Sequence, residues 1–403
     1  MAGCSQSSEA AVERRRHNVE NGLLADIGDP FWERLSLAKR MAHYNVPGVS
    51  IAVINDNQLE WARGYGVMEA GSGEPVTPDT LFQAASISKM LAAVAALGMV
   101  DQGALALDQD VNDWLVSWQV PQNEFTEAEP VTLRRLLSHS AGIYERAYDG
   151  YAQGQELPTL LNILNGQPPA NSPPVEVVVE PGSEHIYANG GYTVVEQLLE
   201  DVSGESFTDL LQENVLDPWG MEASTYEAPL PEELRLLAAA GHHVDGRPIP
   251  GGWRTYPERA AASLWTTPTD LAQFAIRLME VQAGEQDPVL SQEMAQEMVT
   301  FQIDGRGLGP ELGDDGGDRV YFSHPGDNYG YKAFLVAYPQ RGQGVVIMTN
   351  GENGAALWRE ILNGVSDEYG LVTGNTGLYV GILIVIVLGL TAVVLIRRMR
   401  AGS

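Results

Sequence analysis

"TLFQAASISKMLAAVAALGMVDQG", Thr80 to Gly103, holds a serine, a lysine three residues later and then an almost unbroken apolar run. Apolar side chains on every side, rather than along one stripe, predict a helix from Ser86 to Gln102 buried at the centre of a domain. A lysine at its head is out of keeping with the chain. Lys39, Lys89 and Lys332 are the only lysines among 24 basic residues, so positive charge is otherwise left to arginine. Arginine does not release its proton in a protein, whereas a desolvated lysine can become a neutral amine and take the proton of a serine hydroxyl. Ser86 and Lys89 share a helix face one turn apart, at the end where the dipole favours developing negative charge. They read as nucleophile and base; the alternative is an N-cap serine beside a surface lysine. A second Ser-x-x-Lys, "SLAK" at Ser36, lies on an amphipathic segment, where Lys39 reads as solvated.

Outward from this helix the pattern alternates. Upstream, Phe31 to His43 has helical spacing, with Phe31, Leu35, Ala38 and Met41 on one side. "GVSIAVINDNQLEWARGYGV" predicts two strands joined by a tight turn at Asp56-Asn57. Downstream, Thr132 to about Leu230 is mainly helical, broken by loops such as "NGQPPANSPP", and a further helix follows Thr267-Pro268 as far as Leu278. "RVYFSHPG", "YKAFLVAY" and "GVVIMTN" predict three antiparallel strands before a last helix around Ala355 to Val365. Strands at both ends with helices between them imply an α+β class: an antiparallel sheet flanked by helices plus an all-helical subdomain. There are no internal repeats. With 53 acidic residues against those 24 basic ones, the net charge of −29 disfavours nucleic acid as a partner and suits a high-salt medium. One cysteine, Cys4, excludes an intramolecular disulfide and a thiolate cluster. The seven histidines form no His-Glu-x-x-His pair. No Gly-x-Ser-x-Gly elbow supports an α/β-hydrolase.

Two further motifs occur once each: Tyr187-Ala188-Asn189 as Tyr-x-Asn, and His324-Pro325-Gly326 as His-x-Gly. With Ser86-x-x-Lys89 before them, the chain resembles the serine β-lactamase and penicillin-binding-protein superfamily, in the branch with class C β-lactamases, serine DD-carboxypeptidases, D-aminopeptidases and esterases. The resemblance covers about Asn45 to Ala356 and extends to "VPGVSIAVINDNQLEWARGYG", "LRRLLSHSAGI", "NVLDPWGMEAST" and "AASLWTTPTDLAQF". It implies the β-lactamase/transpeptidase-like fold and a serine hydrolase that forms an acyl-enzyme at Ser86 on a small peptide, amide or ester, with no metal or organic cofactor. It implies that Lys89 and Tyr187 handle the proton and that Asn189 holds the substrate carbonyl or amide. Backbone N–H groups of Ser86 and Asp327 would form the oxyanion hole. Gly326 would let substrate lie along its strand, with Gly330 opening the far end. His139 and Ser140 are expected to serve structural hydrogen bonding, and His242-His243 to be solvated loop residues at the pocket edge.

One position departs from the pattern. No Lys-x-Gly exists, so His324 stands where most β-lactamases carry a carboxylate-binding lysine. This favours peptidase-like chemistry on D-amino-acid or cell-wall-type peptides over β-lactam hydrolysis, and Asp327 beside the oxyanion site would welcome a substrate amine. The alternatives are an esterase or weak β-lactamase of the same fold, or a non-catalytic module that binds cell-wall peptide.

The termini carry their own signals. Residues 1–27 are polar and expected to be disordered, 28–370 form the hydrolase domain, and 371–403 hold a transmembrane helix and a basic tail. Leu378 to Ile396, "LYVGILIVIVLGLTAVVLI", is 19 uncharged residues, enough to cross a hydrocarbon core of roughly 30 Å. "RRMR" follows it and "SDEYG" precedes it, which places the C-terminus in the cytoplasm and the body outside. "AGCS" resembles the end of a lipobox, which would make Cys4 a lipidated residue. It is also short enough to arise by chance on a polar tail, and both readings stand.

Overall fold

The computed structural model describes residues 2–24, 34–144, 148–314 and 319–371. In chain order its principal elements begin with α1 (Ala2–Asn21), α2 (Leu37–Tyr44), β1 (Gly48–Asn55), β2 (Gln58–Gly66) and α3 (Ser88–Asp101). The middle of the chain contributes α4 (Asn189–Ser203) and α5 (Pro268–Gln282) among shorter helices. The chain then returns as β3 (Glu311–Asp314), β4 (Val320–Asn328), β5 (Tyr331–Tyr338), β6 (Gln343–Thr349) and α6 (Gly354–Tyr369).

The six strands form one antiparallel sheet in the order β2-β1-β6-β5-β4-β3, so the first hairpin joins the last three-strand meander through β1 and β6. Asp56 and Asn57 make the tight turn of that first hairpin with φ of 53° and 56°, the left-handed pair that a two-residue turn between twisted strands requires. β3 is a short edge strand with no counterpart in the sequence reading; its four residues are too few to show a period. Period-two alternation sorts the sheet's side chains between two layers. Val49, Ile51, Val53, Val345 and Ile347 pack against Leu357, Ile361 and Val365 of α6. Ala52, Ile54, Val346 and Met348 turn to the opposite face, towards α3 and α5. There Met90 to Leu97 are buried almost without exposure, as an all-apolar helix must be.

Two expectations are corrected. The polar opening segment is not without order: α1 is helical, and its Val19 and the following Leu23 are buried in the core cluster around α6. Its charges find partners as well, Arg15 with Glu60 and Arg16 with Glu13 and Glu20. Helix α2 begins only at Leu37, with Ser36 as its N-cap accepting from the Lys39 N–H, so the serine of "SLAK" caps and Lys39 is exposed. Ala38 is exposed rather than part of the buried side, and Phe31 lies outside the described residues. Leu378–Ile396 also lies outside them; among the described residues no helix is long and apolar enough to cross a membrane.

A charge pair fastens α2 to α6. Arg40 donates to both oxygens of Glu360, at 2.7 and 2.6 Å, and Tyr44 donates to the same carboxylate at 2.6 Å. The two side chains are only 5% and 4% exposed. Removing one member of such a pair leaves the other charged and desolvated. Arg40→Leu is expected to lower the unfolding free energy by about 3–5 kcal/mol, read from urea midpoints, while Arg40→Leu combined with Glu360→Leu recovers most of that loss.

Candidate active site

The reacting serine sits at a joint. The short pair Phe82–Gln83 hydrogen-bonds to Trp265–Thr266, and the chain then makes a single 3-10 turn, Ala85–Ile87, before α3 begins at Ser88. Ser86 is therefore on that turn rather than inside the α-helix. Ala85 carries a positive φ of 52°, a costly conformation for a residue with a β-carbon. It is held there by Ser88 Oγ, which donates to the Ala85 carbonyl at 2.6 Å, and by the Ala84 N–H, which donates to Leu264 at 2.8 Å. Ser86 is half-buried among neighbours that are fully buried.

Lys89 has no exposed surface. Its Nζ lies 3.1 Å from Ser86 Oγ and 2.7 Å from the Ala261 carbonyl oxygen, and it stands over the rings of Tyr187 and Tyr192 at 5.2 and 5.6 Å. A surface lysine beside a capping serine is thus ruled out, since Ser86 makes no cap and the amine is enclosed.

Tyr187 closes the same group from the helical side. Burial pushes its phenol up to about 12, tempered by a hydrogen bond with Ser86 and by the nearby Arg306, so it is a neutral proton donor at ordinary pH. Its ring is flanked by His139, with centroids 4.3 Å apart, and by Arg306 at 5.4 Å. His139 Nδ1 accepts the Ala188 N–H at 3.2 Å, which pins the Tyr187–Asn189 segment, and Ser140 shares a hydrogen bond with Ser138 at 3.0 Å. Both therefore act as the structural hydrogen-bonding residues that were expected. Burial, followed by the charge of Lys89, drives His139 well below the usual histidine range. Asn189 opens α4, and its Oδ1 is buried without a hydrogen-bond partner.

The third motif is placed differently from the expectation. His324 is completely buried, its Nδ1 bonded to the Pro325 carbonyl at 2.7 Å, and burial followed by the charge of Lys89 lowers its pKa to about 3. It is a neutral ring beneath the site rather than a cation for substrate. Gly326 is a packing glycine: a β-carbon there would lie 2.3 Å from the Ala84 carbonyl oxygen, so its absence lets β4 press against the turn that carries Ser86. Gly330 has φ of 87° and backs onto Ile249 and Gly241, again a matter of fit. Asp327 is exposed to the cleft, yet its carboxylate is bonded to Lys332 at 2.6 Å, and Lys332 also reaches Glu352 at 2.7 Å. His242 is buried, not solvated, with Nδ1 bonded to the Asn350 carbonyl at 2.7 Å and Nε2 accepting the Ala70 N–H at 3.0 Å. His243 does touch the pocket rim, through the Tyr329 hydroxyl at 3.0 Å.

Ser86, Tyr187, Asn189 and Asp327 line one cleft of about 550 Å³. Its wall also includes Tyr148, Arg254, Tyr256, Arg306, Glu311 and Glu352, none of which the sequence reading singled out. Arg254 stacks on Tyr329 with 4.0 Å from Cζ to the ring centroid, and Arg306 pairs with Glu311 at 2.9 Å. The only signal for them was their setting, "GGWRTYPERA" and "DGRGLGP": loops whose direction no period encodes. Both signs of charge face the cavity. Among the described residues no cluster of histidine, cysteine and carboxylate is placed to hold a metal ion.

A sheet-and-helix body with a serine hydroxyl held against an enclosed lysine amine, at the floor of a cleft, defines a serine hydrolase. The chain belongs to the family described as Beta-lactamase, which residues 36–363 match. Penicillin-binding protein 4 of Amycolatopsis lactamdurans is 30% identical over 353 residues, covering 82% of this chain and 88% of that protein. The teichoic acid D-alanine hydrolase of Staphylococcus aureus is 20% identical over 281 residues, 68% of this chain and 65% of its own. Among solved structures, the octameric penicillin-binding protein homologue from Pyrococcus abyssi is similar with a TM-score of 0.68 and 27% identity, over 81% of this chain and 75% of that one.

The buried imidazole sets a pH dependence. His324 stays neutral in the folded protein down to about pH 3, whereas an ordinary histidine titrates at 6.5. Below that ordinary value the unfolded chain takes up a proton that the folded chain refuses, so stability is intact above it and is lost as pH falls towards the folded value. Urea midpoints measured stepwise from pH 7 to pH 4 are expected to decline, with His324 contributing up to about 1.4 kcal/mol per pH unit. His324→Asn should show a shallower decline than wild type.

Proposed function

We propose that the protein is a membrane-anchored, extracytoplasmic hydrolase that forms an acyl-enzyme at Ser86 and cleaves an amide or ester in D-amino-acid or cell-wall-type peptides. The observation that carries this reading is the 3.1 Å approach of Lys89 Nζ to Ser86 Oγ at the floor of a substrate-sized cleft. Ser86 Oγ attacks the substrate carbonyl carbon while Lys89, acting from its deprotonated form, takes the serine proton. The oxyanion is met by the backbone N–H groups of Ser86 and Asp327. Asn189, whose Oδ1 has no protein partner, holds the substrate amide. Collapse of the tetrahedral species breaks the bond to the leaving amine or alcohol, which receives the proton held by Lys89, relayed through Tyr187, a phenol kept neutral by burial. Water then attacks the acyl ester carbon and loses a proton to Lys89; as the bond to Ser86 Oγ breaks, Lys89 returns that proton to it, which releases the acid and free Ser86.

Substrate class is inferred from the cleft and the relatives together. Arg254 and Arg306 line it together with Asp149, Glu311, Asp327 and Glu352, a lining of mixed charge suited to a peptide bearing both an amine and a carboxylate. With His324 neutral and buried, no cation stands at that strand for a β-lactam carboxylate. The similar proteins named for penicillin binding and for D-alanine hydrolysis point the same way. In this reading residues 28–370 are the hydrolase body, and 371–403 carry Leu378–Ile396, an apolar stretch long enough to anchor the chain in a membrane.

Intact mass of the full-length chain, after exposure to a fluorophosphonate and separately to a penicillin, tests the reading. Wild type is expected to gain one adduct from each reagent and Ser86→Ala none. Lys89→Arg, which stays protonated and so cannot act as the base, should slow acylation by about 10²–10⁴-fold. No adduct in wild type from either reagent would overturn the proposal.

A further inference from the structure

Helix α4 delivers more to the site than its first residue. Asn189, Tyr192 and Glu196 are spaced three and four apart, on one helical face. Asn189 lines the cleft, and the ring of Tyr192 lies 5.6 Å from Lys89 Nζ. Glu196, further along, has no exposed surface, and neither the sequence motifs nor the proton path above uses it.

Glu196 Oε2 accepts the Ala260 N–H at 3.0 Å, and Oε1 lies 3.6 Å from Arg259 Nη1. These are the opening residues of the single turn Arg259–Ala262. The first N–H groups of a turn have no partner within it, and alanines at 260, 261 and 262 bring no polar side chain to fix it. One carbonyl of the same turn meets the catalytic group, Ala261 accepting from Lys89 Nζ at 2.7 Å, and the next, Ala262, accepts from Asn328 Nδ2 at the end of β4 at 3.1 Å. A continuous path of contacts therefore runs from Glu196 through the turn to Lys89 and Ser86.

We propose that Glu196 is a positioning residue: by holding the Arg259–Ala262 turn, it fixes the Ala261 carbonyl and so keeps the Lys89 amine against Ser86. The inference rests on the acyl-enzyme reading. The site bears a cost consistent with a purpose, because a fully enclosed carboxyl is expensive. Burial raises its pKa to about 8, with Glu200 adding to the rise and Arg259 and the Ala260 N–H opposing it; Tyr226 also faces it. What the turn requires is an acceptor oxygen at this spot, which a neutral amide also supplies.

The test compares Glu196→Gln and Glu196→Leu with wild type in the full-length chain, using p-nitrophenyl acetate for turnover, the fluorophosphonate adduct for Ser86, and thermal melting for folding. Glu196→Gln is expected to keep kcat within ~3-fold of wild type. Glu196→Leu is expected to lower kcat by ~10–10²-fold at little-changed KM, the size of loss that misplacing a reacting group by an ångström brings. The acid limb of its kcat/KM profile should also move, because the amine has lost its fixed carbonyl. If Glu196→Leu does not fold, Glu196→Asp, shorter by one methylene, gives the same comparison. Unchanged kcat in the folded variant, or an equal loss in Glu196→Gln, would overturn the role. Absence of a Ser86 adduct in wild type would instead remove the acyl-enzyme reading and not bear on the turn.

Discussion

An amine with no exposure to water, suspended between a serine hydroxyl and one backbone carbonyl, is the constraint around which this protein is arranged. Lys89 is long, flexible and strongly hydrated when free, so enclosing it has to be offset by contacts that leave it one position. Ser86, the Ala261 carbonyl and the faces of Tyr187 and Tyr192 supply those contacts. Each comes from a different stretch of chain: the turn before α3, the Arg259–Ala262 turn and the start of α4. The sheet keeps them in register. Its meander brings β4 against the serine turn, at a separation that only a glycine at 326 allows.

The three lysines of the chain show how environment assigns role. Lys39 is solvated on α2. Lys332, nearly buried, is neutralised between Asp327 and Glu352 and shapes the charge of the cleft. Lys89 alone meets a hydroxyl oxygen and a carbonyl at the floor of the cavity. A chain that otherwise relies on arginine thus keeps an amine where an amine has chemistry to do. The histidines divide in the same manner. His139, His242 and His324 are enclosed and held below their ordinary titration range, serving as rigid polar fittings rather than as charges.

Much of this was legible in the residue pattern, for a definite reason. An all-apolar helix, a two-residue turn of Asp and Asn between alternating strands, and a Ser-x-x-Lys at a helix start are local signals, written within one or two turns of chain. The α+β class, the central place of α3, the first hairpin, the three closing strands and the meeting of Ser86 with Lys89 all follow from them. The order of α1 was not legible. Its helix is polar on nearly every side, and only Val12, Val19 and the adjoining Leu23 mark the face packed into the core around α6. His324 and Gly326 were legible as a motif but not in what they do. Whether a side chain on β4 points into a cleft or beneath it depends on which segment packs over it.

By itself, then, the sequence determined the central helix, the first hairpin and the three closing strands, that this helix is fully enclosed, and that a nucleophile and its base lie one turn apart at its head. Those are properties of neighbours along the chain, where spacing alone decides which side chains meet. Tertiary structure decided that Tyr187 and Asn189 face Ser86, that Asp327 is neutralised by Lys332, and that Glu196 secures the turn whose carbonyl holds Lys89. Residues 89, 196 and 261 are brought together only when α3, α4 and a turn of alanines pack with their backbone groups satisfied, and no short-range period encodes such a meeting.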